Sequence, residues 1–107
     1  MALTRDFKET IIERVRRDPT FAKAMLDEAA TLFLNGEPRT ARLVLRDLVN
    51  ATLGFEKLAV ATKTPSKSLH RMLSAKGNPG MDNLAAIFGA ICKALRVDIE
   101  AHTVEAA

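Results

Sequence analysis

The chain has 107 residues, 48% of them hydrophobic and 27% charged, with a formal net charge of +3. That length fits one domain. The composition is too apolar for disorder, and no run approaches the roughly 18 apolar residues of a membrane span. A single cysteine, Cys92, excludes an internal disulfide framework and a cysteine-based zinc site. The first 18 residues lack a signal-peptide apolar stretch, so the expected setting is reduced and cytoplasmic.

Glycine and proline divide the chain into short helical segments. The first, over 3–17, places Phe7, Ile11 and Val15 at i, i+4 and i+8, one apolar stripe on a helix. Asp18-Pro19 reads as an N-cap followed by proline at the first helical position, where its missing N–H leaves nothing unpaired. The second helix runs to about Asn35, with Met25, Ala29, Leu32 and Phe33 inward, and Gly36 supplies the positive φ that ends it. Glu37-Pro38 opens a third helix that stops near Gly54. Ala41, Leu45, Leu48 and Val49 face inward there, and Arg39, Arg42 and Arg46 are expected on a solvated face.

A fourth, short helix spans 55–62, and Lys63-Thr64 forms a tight turn. A fifth, over 66–74, has Leu69, Met72 and Leu73 apolar. Gly77-Asn78-Pro79-Gly80 is the strongest turn signal in the chain. Asp82 is expected to cap a sixth helix with Leu84, Ile87, Phe88, Ile91 and Leu95 inward. Gly89 within it predicts a close helix approach, either internal or at a dimer interface. Val97 and Ile99 alternate with polar neighbours in a short extended tail, and 101–107 is expected to fray. No other segment alternates as a strand would, so the expectation is an all-α bundle of five to six helices. It comprises an N-terminal helical extension (1–36), a core (37–99) and a tail (100–107).

The positive charge is concentrated rather than spread. Residues 63–80 hold Lys63, Lys67, Arg71 and Lys76 and no acid. The two short helices here bury too little to be stable alone and lie between two longer ones, as in a helix-turn-helix. On the second short helix, Lys67 and Arg71 fall within about 20° of the point opposite Leu69. Ser66 and His70 flank them on one side and Ser68 on the other, with Ser74 also on this outward side. An acid-free face rich in donors suits the phosphates and base edges of duplex DNA.

The stretch Phe55-Glu56-Lys57-Leu58-Ala59, then 64–74, then Gly77-Asn78-Pro79 and Leu84 resembles the helix-turn-helix of phage-repressor/Cro-type regulators. It is most similar to the HigA-type addiction-module antidote family. Asp18-Pro19-Thr20-Phe21-Ala22, Asn35-Gly36-Glu37-Pro38 and Leu45-Arg46-Asp47 extend the resemblance across most of the chain. It implies a lambda-repressor-like bundle, a homodimer on a palindromic DNA operator, and an antitoxin that binds a RelE-like toxin and represses their shared operon. It also implies Ser66, Lys67, His70 and Arg71 as readers of base edges. Lys57, Lys63, Ser68, Ser74, Lys76 and Asn78 are then the phosphate contacts. Phe55 stands where related repressors present a glutamine to phosphate, and Lys57 is the expected substitute. Lys63 replaces a common turn glycine and must adopt a left-handed backbone.

Other chemistry is weakly signalled. Cys92 reads as a buried inert thiol, and His70 and His102 alone do not make a zinc site. Asp27 and Glu28, adjacent on a helix, point about 100° apart and read as solvated charges. No nucleophile–base pair, metal cluster or cofactor motif is visible, so no enzyme activity and no cofactor are expected. The alternatives are a protein-interaction module that no longer reads DNA, or a stand-alone repressor without a toxin. For an antitoxin, the toxin contacts are expected on the first two helices.

Overall fold

Two proline-led starts and a set of positive-φ stops fix the helix boundaries. In the computed structural model, the backbone of residues 2–107 and the side chains of residues 9–107 are described. The helices are α1 (Ala2–Arg17), α2 (Pro19–Leu34), α3 (Pro38–Ala51), α4 (Gly54–Thr62), α5 (Ser66–Met72) and α6 (Met81–Leu95). The all-α expectation holds. The side chain of Phe7, expected on the inward stripe, lies outside the described residues.

Each boundary has a local cause. The Asp18 carboxylate accepts from the Thr20 N–H at 3.0 Å, with Pro19 in the first turn of α2. Gly36 at φ +87° turns the chain so that the Glu37 N–H donates to the Leu32 carbonyl at 2.8 Å, closing α2. Lys63 does adopt the left-handed conformation, at φ 54° and ψ 40°. The Thr64 N–H then reaches the Ala59 carbonyl at 3.1 Å. Thr62 Oγ1 donates to the Leu58 carbonyl, and Thr64 Oγ1 to the Thr62 carbonyl. Arg96 ends α6 by the same left-handed device, which no glycine announced in the sequence.

Three sequence expectations shift. Gly80, not Asp82, is the N-cap of α6, and Asp82 sits in the first turn, where its charge still suits the positive end of the helix dipole. Helix α5 ends at Met72, two residues early, because Leu73 (φ −97°, ψ 16°) turns out of the helix. A Cβ on Gly89 would meet nothing within 4 Å, so no internal helix approaches there.

One core joins all six helices. Val15 of α1, Ala22, Leu26 and Ala29 of α2, Leu45, Leu48 and Val49 of α3, Leu58 of α4, Leu69 of α5, and Ile87 and Ile91 of α6 belong to a single buried cluster. Helix α2 packs extensively on α3, and α1 packs on both. Helices α1 and α2 thus contribute Val15, Ala22, Leu26 and Ala29 to that core. The expected inward set of α3 is wholly buried, whereas Phe33 on α2 is 38% exposed. Its ring reaches sideways to Phe88, centroid to centroid 6.5 Å. Arg14 sits 4.5 Å over the Phe21 ring and ties α1 to α2. In the tail, Val97 and Ile99 pack on the core, while Asp98 and Glu100 are exposed. Among the described residues no helix is long and apolar enough to cross a membrane.

The left-handed backbone at Lys63 costs a side-chain-bearing residue about 1 kcal/mol. Lys63→Gly is expected to melt at or above the wild-type temperature, and Lys63→Val below it by the equivalent of about 1 kcal/mol. Thermal unfolding followed by circular dichroism checks this, and a lower melting point for the glycine variant would contradict it.

Candidate nucleic-acid interface

Helix α5 has seven residues, too few to be stable in isolation. Its shape is imposed from outside. Leu69 and Leu73, 1% and 0% exposed, enter the common core, and each such burial contributes about 1.5–3 kcal/mol. Pro65 fixes the entry, since its φ suits the residue just before the helix. The Leu69 N–H closes the first turn on the Pro65 carbonyl at 3.1 Å.

The far end of α5 is held by a residue expected to be solvated. Arg42 of α3 donates through Nε to the Ser74 carbonyl at 3.0 Å and through Nη2 to the Ala75 carbonyl at 2.8 Å. This corrects the reading of the α3 arginines as one solvated face: Arg39 is exposed, but Arg42 is half-buried and clamps the loop after α5. No sequence pattern links positions 32 and 33 residues apart, so the clamp was invisible before the fold. Gly77 closes the same loop. A Cβ there would collide with the backbone carbonyls of Met72 and Arg71, so the chain passes the end of α5 only because that position has no side chain.

On this support the outward residues take their places. Lys67 and Arg71 are exposed on one side of α5, opposite buried Leu69. One helical turn apart, they sit about 6 Å apart along the axis. Lys57 on α4, Lys63 in the turn and Lys76 in the following loop are also exposed. Ser66 and Ser68 are half-buried beside them. Ser74 is half-buried too, and its hydroxyl donates to the Arg71 carbonyl at 2.8 Å, so in this conformation it offers no proton to a phosphate. Asn78 is exposed at the rim of a cleft of about 50 Å³ that Arg42, Phe33 and Pro79 also line.

His70 lies differently from its neighbours. Its ring stacks on Phe55 of α4, with centroids 3.8 Å apart and planes inclined by 17°. Phe55 itself is only 6% exposed. The residue that replaces the expected glutamine at the start of α4 is thus part of the core and a floor for the histidine. The 15-residue separation gave no local sign of this contact.

No family model, curated protein or solved structure matches this chain. Fold and geometry therefore carry the functional reading. Among the described residues no cluster of three or more His, Cys, Asp or Glu could hold a metal ion. Cys92 is half-buried, and burial, with Asp98 adding to it, pushes its thiol above the ordinary cysteine value. It stays protonated at neutral pH and is a poor nucleophile.

Removing the clamp while keeping its aliphatic stem, Arg42→Met, is expected to cost about 2 kcal/mol. Gly77→Ala is expected to cost roughly 1–3 kcal/mol through the backbone collision. In both variants, hydrogen exchange should speed up first in the amides of 69–77. Uniform loss of protection across all helices would argue against a local role for these two residues.

Proposed function

We propose that this protein is a sequence-specific DNA-binding transcriptional regulator that inserts α5 into the major groove. The observation that carries the reading is the acid-free outward face of a two-turn helix, rigidly seated on α4 and the core. Lys67 and Arg71 are its exposed cations, and Lys57 on α4, Lys63 in the preceding turn and Lys76 in the following loop are exposed as well. A short helix followed by a fixed loop, with donors out and leucines in, matches what groove insertion requires. Arg71 and Lys67 take base edges, Ser66 and His70 lie beside them, and the surrounding lysines meet the phosphates.

The similarity of residues 55–79 to HigA-type antidotes supports a narrower version. In it, a homodimer occupies a palindromic operator upstream of its own gene. The protein also neutralises a RelE-like toxin through a surface on α1 and α2, which leaves the α5 face open to DNA. The interaction-module alternative draws on one feature: Phe55 is turned into the core beneath His70, so the start of α4 lacks the usual polar contact to phosphate.

Fluorescence anisotropy with the duplex upstream of the coding sequence separates the two readings. Binding should exceed that to a scrambled duplex and weaken steeply between about 50 and 200 mM salt. Arg71→Ala should cost ~1–3 kcal/mol and relax preference at one base pair, while Lys57→Ala should weaken all duplexes alike and lower the salt slope by about one. Equal affinity for specific and scrambled DNA, unchanged in Lys67→Ala/Arg71→Ala, would favour the interaction module.

A further inference from the structure

Most donors on the α5 face are long and mobile. Lys67 and Arg71 hold their charges at the ends of flexible chains, and each loses rotamer freedom on meeting DNA. His70 is the exception. One face of its imidazole is covered by Phe55 at 3.8 Å in a near-parallel stack, and Phe55 is locked into the core at 6% exposure. The stack covers one face of the ring, and His70 is an exposed residue on the flank of the reading face. It therefore meets a groove with its geometry already set.

We propose that Phe55 is a positioning residue that holds His70 as a rigid reader of the operator, and that operator binding is coupled to protonation of His70. The inference rests on the DNA-binding reading above and adds a regulatory property to it. Neutral imidazole carries one donor and one acceptor, whereas imidazolium carries two donors. A phosphate or a guanine edge, both rich in acceptors, selects the two-donor form. The charged groups on the surrounding elements are Glu56 and Lys57 on α4, Lys63 in the turn, and Lys67 and Arg71 on α5, all exposed. Arg42 of α3 is engaged with the loop carbonyls. Among these residue types, histidine is the one that exists as either a neutral or a charged side chain near neutral pH.

The sign follows from linkage. Bound DNA favours the charged imidazole, so the bound form holds its proton to higher pH than the free form. Affinity is then greatest below the histidine range and is lost as pH rises through it.

The test is anisotropy at constant ionic strength from pH 6 to pH 8. The probes are 30-bp duplexes tiled across the DNA upstream of the coding sequence, with a scrambled duplex as control. The wild type is expected to bind about fivefold more tightly per protomer at pH 6 than at pH 8. His70→Gln should flatten that dependence, and Phe55→Leu, which keeps apolar bulk but removes the ring, should flatten it too. Lys67→Ala should lower affinity by the same factor at every pH. A wild-type profile that matches His70→Gln would overturn the proposal while leaving DNA binding standing, and no binding to any duplex would overturn both. Should Phe55→Leu fail to fold, the comparison of wild type with His70→Gln still decides the coupling. The His70 ring-proton titration of the wild type, with and without duplex, then reads the same shift directly.

Discussion

A helix of two turns cannot hold itself, and everything distinctive in this fold serves to hold one. Nucleating a helix fixes several residues for a single hydrogen bond, and α5 offers few bonds in return. Its order comes from neighbours: two leucines sunk in the shared core, a left-handed turn before it, and a loop behind it clamped by Arg42 and admitted by Gly77. The longer helices α1, α2, α3 and α6 are the scaffold that makes this possible. Together with Phe55 and Leu58 of α4 and Leu69 of α5 they bury a continuous apolar cluster from Val15 to Ile91.

That arrangement separates two demands on one short segment. Stability needs Leu69 and Leu73 inside, and the proposed recognition of DNA would need polar groups outside at a fixed angle. Helical spacing meets both, because residues two positions either side of Leu69 point away from it. Supporting contacts come from backbone carbonyls and an aromatic floor rather than from the outward side chains, with Ser74 as the exception. Lys67 and Arg71 thus remain exposed on a helix whose backbone is fixed. The absence of acids from residues 63–80 leaves their field uncancelled by near neighbours in sequence.

Much of the fold was legible in the sequence because its causes are local. Asp18-Pro19, Gly36 and the period of Leu45, Leu48 and Val49 act within a turn or two, whereas the left-handed Lys63 followed only from the family resemblance, which puts a glycine at that turn. What stayed hidden was tertiary. Arg42 reaches across more than thirty residues to carbonyls that carry no side-chain signature. Phe55 and His70 meet only once α4 and α5 are packed. Helix α5 ended early, and Gly80 rather than Asp82 capped α6, because competing caps within two residues differ by little in free energy. The outward set of α5 followed from periodicity alone, but the commitment of the Ser74 hydroxyl to a backbone carbonyl did not.

The central claim is that the side of α5 opposite Leu69 is the surface that meets duplex DNA. Amide chemical-shift mapping of the 107-residue chain, titrated with duplex from upstream of its coding sequence, tests this most directly. The account predicts perturbations centred on 63–78 and at Lys57, with α1 and the exposed side of α2 unmoved. Perturbations confined to α1 and α2, or none at saturating duplex, would contradict it.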